Sequence, residues 1–112
     1  MDYLSRALGY SQSGDRQLAI GDYTKAITLG IPTTHHSGRN PLAIAYLNRG
    51  FAYNGLGQYE RAIEDFDRVI SLDYDLSTLA YVGRGDSYRN LGRDAEADAD
   101  KAKACSQDSE YC

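Results

Sequence analysis

Tyr46-Leu47-Asn48-Arg49-Gly50-Phe51-Ala52-Tyr53 is the stretch that decides the fold, because its spacing of tyrosine, arginine, small residue and tyrosine occurs three times. The other copies are Tyr3, Arg6, Ala7 and Tyr10, and Tyr81, Arg84, Gly85 and Tyr88. Each copy is followed four residues on by Gly14, Gly57 or Gly92. Ala19, Ala62 and Ala97 then come five residues after the glycine, and Asp22, Asp65 and Asp100 eight after it. A unit of about 34 residues repeated in register is the size of a helical hairpin, far longer than a heptad.

Working outward, the apolar residues keep helical spacing, as in Leu18, Ala19, Tyr23, Ala26 and Ile27, and in Ala62, Ile63, Phe66, Val69 and Ile70. Six helices in three hairpins are expected, each with a first helix A and a second helix B. Gly14, Gly57 and Gly92 fall between A and B, where a residue that accepts positive φ lets the chain reverse tightly. Asn40 ahead of Pro41 reads as an N-cap followed by proline in the first helical position. The second hairpin is therefore expected from about residue 41 to 54 and from about 59 to 72. The same offsets place the first hairpin at about 1 to 29 and the third at about 77 to 105.

With 112 residues the chain can bury one core. Its net charge of -4 argues against a nucleic-acid binder, which needs a basic surface to displace counterions from phosphates. No apolar run approaches the roughly 20 residues that span a bilayer, and no export signal is legible, so neither a membrane nor a nucleic-acid partner is expected.

The second copy carries a resemblance. Tyr46, Gly50 and Tyr53, the turn at Gly57, Gln58 and Tyr59, and then Ala62 and Phe66 match the signature of the tetratricopeptide repeat (TPR), with Arg49 and Tyr74 departing from it. The first copy keeps the pattern with Ala7 and Tyr23; the third keeps Ala97 but has Lys101 at the place of Phe66. The resemblance implies an all-α fold of three tandem antiparallel hairpins stacked as a short right-handed α-solenoid. It covers a single domain over 1–105, with repeats at about 1–29, 42–75 and 77–105, an inserted loop at 30–41 and a tail at 106–112.

In such repeats the small residues at 7, 50 and 85 are expected to face Ala19, Ala62 and Ala97, with the recurring tyrosines as core wedges. Arg6, Arg49 and Arg84 precede Asp22, Asp65 and Asp100 by 16 residues in every copy, so three structural ion pairs are expected. The inserted loop holds His35 and His36, but two adjacent histidines with no thiol or carboxylate nearby fall short of a zinc ligand set. The segment from Asp94 to Ala104 is a strong helix former with few large apolar side chains, as expected of an end repeat with a polar outer face.

The A helices carry a second apolar stripe, which the resemblance maps onto a concave channel that holds a partner's peptide. Its expected lining is Leu4, Leu8 and Ser11 from the first repeat, Ile44, Leu47, Asn48, Phe51 and Asn54 from the second, and Leu79, Val82, Asp86 and Arg89 from the third. Relatives that grip chaperone tails use a Lys and Asn clamp; here its places hold Leu4, Leu8, Asn48, Leu79 and Gly83, and only Asn48 agrees. An apolar or amphipathic peptide suits these residues better. The alternative is self-assembly, in which the channel is filled by another copy or by a missing part of a longer protein.

No phosphate loop, nucleophile beside a histidine, or pair of carboxylates in an apolar setting occurs, so no enzyme, no catalytic residue, no metal and no cofactor are expected. Cys105 and Cys112 can either bridge across a short turn or remain free thiols. Free thiols fit the cytoplasmic location expected for such a module; a bridge would fit a periplasmic or other extracytoplasmic one.

Overall fold

A computed structural model describes residues 16–29 and 40–112. The described residues form five α-helices and no strand: α1 (Arg16–Thr28), α2 (Pro41–Gly55), α3 (Tyr59–Leu72), α4 (Tyr74–Asn90) and α5 (Asp94–Gln107). A single 3-10 turn, Ser109–Tyr111, comes after α5. Helices α2 and α3 make one A/B hairpin and α4 and α5 the next, with α1 packed against α2 ahead of them. The expectations that rest on Leu4, Leu8, Ser11, Arg6, Gly14, Tyr3, Tyr10 and the histidine pair fall outside the described residues.

Local chemistry sets the helix limits. Asn40 accepts the Leu42 and Ala43 N–H groups at 2.9 and 3.4 Å, satisfying two donors that the first turn of α2 leaves open. At the hairpin turns Gly57 and Gly92 take φ of 77° and 78°, a conformation in which a Cβ is strained. The third hairpin is longer than the repeat offsets imply, starting at Tyr74 instead of about 77 and running to Gln107 instead of 105. The cause is Asp73. Its Oδ1 accepts from the Asp75 and Leu76 N–H groups at 2.9 and 3.2 Å, so α4 begins directly behind it. Its Oδ2 accepts the Asn40 N–H at 3.2 Å, joining the start of α4 to the start of α2.

The core between the hairpins is built on Phe66, which is fully buried together with Ala43, Ala62, Val69 and Ala80. Its ring is gripped by two glycines: a Cβ on Gly50 would lie 2.8 Å from the ring, and one on Gly83 would lie 2.4 Å from it. Gly50 therefore serves the ring of Phe66, where a simple small-against-small contact with Ala62 was expected. Gly85 does meet α5 closely, its Cβ position being 3.4 Å from the Ala97 carbonyl oxygen. Two A helices and one B helix thus converge on a single aromatic ring, and the stacking of hairpins depends on it.

The framework tyrosines meet the expectation of core wedges in part, Tyr46 and Tyr53 packing against the Phe66 core. Tyr23 is fully buried, but Tyr46, Tyr53, Tyr81 and Tyr88 are only half-buried. A tyrosine keeps its phenol wet while its ring packs, and here the rings pack on arginine. Arg49 lies 5.5 and 5.7 Å from the ring centres of Tyr46 and Tyr53, and Arg84 lies 5.3 and 5.8 Å from those of Tyr81 and Tyr88.

Candidate functional site

Two faces of the A helices compete for a functional role. The first is the ladder of arginines enclosed by tyrosine rings. Arg49 donates from Nε and Nη2 to the two oxygens of Asp65 at 2.8 and 2.7 Å, and from Nη1 to Thr24 Oγ1 at 3.1 Å. Arg84 repeats this with Asp100 at 2.9 and 2.8 Å, and with Asp67 at 2.7 Å. Thr24 and Asp67 hold equivalent places on α1 and α3. Each arginine therefore ties its A helix to the helix that follows it and to the one before. Two of the three expected ion pairs are present, and Arg6 lies outside the described residues.

Electrostatics show what these pairs do. The bonds to Asp65 and Asp100 raise Arg49 and Arg84 above the ordinary arginine range, so both stay charged. Burial pushes the Asp65 carboxyl up from its ordinary value, and Arg49 pulls the other way without cancelling it. Burial offsets part of what the pairing contributes, and the two-pronged geometry fixes how the helices meet. With their guanidinium groups enclosed in this way, the arginines belong to the scaffold.

The second face is the inner one, formed by α2 and α4. Asn54 of α2 donates to the Gly83 carbonyl at 3.1 Å, and Ser87 of α4 donates to Asn54 Oδ1 at 2.5 Å, which locks the two helices side by side. Asn54 is thus occupied within the scaffold. Leu47 is only 6% exposed and belongs to the core with Phe66 and Leu76, so it does not floor an open channel as expected. The physical reason is stacking: α4 and its preceding turn cover the part of the α2 stripe nearest them. Ile44 packs against the same core at its edge, and Asn48 is half-buried.

The remaining expected residues stay accessible. Phe51 is 39% exposed with its ring edge-on to Phe66, centres 5.0 Å apart, and Leu79 is 37% exposed. Phe51, Val82, Asp86 and Arg89 come together in one recess of ≈ 370 Å³, while Leu79 lines a separate, more polar hollow with Tyr74 and Thr78. Arg89 is paired with Asp98 at 2.7 Å and Asp94 at 3.4 Å. Lys101 and Tyr111 also line the recess. Neither was anticipated, although both are legible by offset: Lys101 stands 35 residues after Phe66, and Tyr111 stands 35 after Leu76.

Among the described residues no group of three or more His, Cys, Asp or Glu side chains could hold a metal ion. None of the described helices is long and apolar enough to cross a membrane. Cys105 and Cys112 are joined in a disulfide.

The profile of the family described as "Tetratricopeptide repeat" matches residues 43–73. The small glutamine-rich tetratricopeptide repeat-containing protein 2 of Saccharomyces cerevisiae is 39% identical over 59 residues, which are 53% of this chain and 14% of that protein. The chain therefore spans a small part of that relative's length. Among solved structures the Arabidopsis OM64 TPR domain superposes with a TM-score of 0.82 at 24% identity, covering 96% of this chain and 81% of that one. Residues 43–73 thus match a tetratricopeptide repeat, and the described helices have the fold of a TPR domain. TPR domains are generally non-enzymatic scaffolds.

Proposed function

We propose that this chain is a non-enzymatic module that holds an apolar or amphipathic peptide segment of a protein partner along the inner faces of α2 and α4. The observation that carries this reading is Phe51: a phenylalanine left 39% exposed beside a recess of ≈ 370 Å³ shared with Val82. Exposed aromatics next to concavities are the usual anchors of protein recognition. Asp86 and Lys101 line the same recess and form no ion pair among the described residues, so each can pair with a polar flank of the peptide. Ile44, Asn48, Leu79 and Arg89 extend the surface, and Leu4, Leu8 and Ser11 remain its proposed continuation. Leu47 and Asn54 drop out because the scaffold uses them. The Cys105–Cys112 bridge favours the extracytoplasmic alternative for location, since thiols stay reduced in most cytosols.

The test is fluorescence anisotropy with a panel of labelled amphipathic peptides, comparing the native protein with Phe51→Asp and Val82→Asp. Both substitutions should abolish binding while the helical circular dichroism is retained. Unchanged binding would remove the groove from the function. Light scattering covers the self-assembly alternative: a monomer fits peptide capture, and a tight dimer broken by Phe51→Asp would assign the groove to a second copy.

A further inference from the structure

The turn after α5 repeats the capping found where the chain passes from α3 into α4. Asp73 and Asp108 are 35 residues apart, the same interval as Tyr46 to Tyr81. Their backbones agree, with φ of -150° at both and ψ of 109° and 116°. The Asp73 N–H donates to the Val69 carbonyl at 3.0 Å and the Asp108 N–H to the Ala104 carbonyl at 2.9 Å. Each aspartate then caps the next helical turn: Asp75 N–H donates to Asp73 Oδ1 at 2.9 Å, and Glu110 N–H donates to Asp108 Oδ1 at 3.0 Å. Ser109–Tyr111 thus stands as the first turn of an A-type helix laid on α5.

The same offset places Tyr111 at Leu76, Cys105 at Ile70 and Cys112 at Ser77. At the earlier junction Leu76 and Ser77 are buried and Ile70 packs against the core. There, apolar burial and the rest of α4 hold the first turn down. At the later junction Tyr111 is only half-buried, and a covalent bond joins the equivalents of Ile70 and Ser77. A single helical turn does not sustain itself in water, because nucleation costs more than one or two hydrogen bonds return. The bond supplies the hold that packing does not. Held in this way, Tyr111 walls the recess that contains Val82 on one side and the polar hollow of Thr78 and Leu79 on the other.

We infer that Cys105–Cys112 is a redox latch, which when closed keeps Ser109–Tyr111 seated on α5 and when opened by a dithiol releases the turn and removes Tyr111 from the wall of the recess. Cys112 is exposed and Cys105 partly so, which leaves the bond open to attack. A thiolate of the dithiol attacks one sulfur, the Cys105–Cys112 bond breaks and a mixed disulfide forms. The second thiol of the reductant then displaces the protein sulfur. Two electrons and two protons end on the cysteines as thiols, and the reductant leaves as its cyclic disulfide.

The experiment is amide hydrogen exchange on the whole chain with and without dithiothreitol, alongside a variant carrying both Cys105→Ser and Cys112→Ser. The reporters are the Tyr111 and Cys112 amides, which donate to the Asp108 and Ser109 carbonyls at 3.0 and 3.1 Å. Reduction should speed their exchange by about tenfold or more, as expected of local release, while amides of α2 and α3 keep their protection. The double-serine variant should match the reduced protein and ignore the reductant. Equal protection in all three states would overturn the latch, because the turn would then hold without the bond. Loss of protection throughout α2 and α3 on reduction would overturn it too, making the bond a staple of the whole fold. So would two free thiols found by titrating the protein before any reduction.

Discussion

Arg49 is the residue whose neighbours do most to explain its identity, because a leucine at that place could not reach Asp65, Thr24 and two tyrosine rings together. Asp65 has a side chain only 2% exposed, so replacing Arg49 with methionine strands a buried carboxylate at a cost of about 3–5 kcal/mol. Urea denaturation at pH 7 measures it. The pH dependence has a definite sign. Burial already raises the Asp65 carboxyl in the folded protein, and losing Arg49 raises it further. The folded variant then holds that proton more tightly than the unfolded chain does. Its stability is greatest below the unfolded carboxyl value and falls as pH rises through the folded one, so its deficit against the native protein narrows in acid. A deficit of the same size at pH 3 and pH 7 would contradict this. Gly83→Ala sets two effects against each other. The helix gains about 1 kcal/mol from alanine, but a Cβ 2.4 Å from the Phe66 ring costs about 1–3 kcal/mol because the fully buried ring cannot swing away. A net loss is expected, partly recovered by adding Phe66→Leu, and a double-mutant cycle reads the recovery directly.

Among the elements, α2 and α3 were legible to within a residue, because Asn40, Pro41 and Gly57 are local signals whose chemistry acts within a few residues. The start of α4 was misplaced by relying on the repeat offset where the cap residue Asp73 was already visible. Face assignment within α2 was harder: Leu47 and Phe51 share one helical stripe, and nothing in their spacing says which of them the next hairpin covers. That difference has a measurable consequence. Leu47→Ala should cost about 2–5 kcal/mol, the range for a buried leucine. Phe51→Ser should cost less despite removing a larger group, because Phe51 is already partly in water. Chemical denaturation of the two variants ranks them, and the opposite order would return Leu47 to the groove.

At the scale of the whole molecule, the hairpins are joined by a few specific links: Phe66 under Gly83, Asn54 on Gly83 and Ser87, and Arg84 on Asp67. The two carboxylates on Arg84 should differ in weight. Asp67 is 53% exposed, so Asp67→Ala should cost under about 1 kcal/mol as a surface pair does, whereas Asp100→Ala removes the partner that shields a half-buried guanidinium and should cost several times more. Calorimetric unfolding of both variants separates them. The sequence by itself determined that the chain is a TPR-type stack of helical hairpins, with turns at fixed glycines and arginine to aspartate pairs in register, because these depend on residue type at short, repeated spacings. The repeat of Asp73 at Asp108 was written there too, in the same 35-residue interval. Only the tertiary structure decided which apolar residues stay in water, since Leu47 is covered by a neighbouring hairpin and Phe51 is not. It likewise decided that Tyr23 is fully buried while Tyr46, Tyr53, Tyr81 and Tyr88 stay half-buried beside arginines, because burial is a property of the surface that the next hairpin brings and not of the helix that carries the residue.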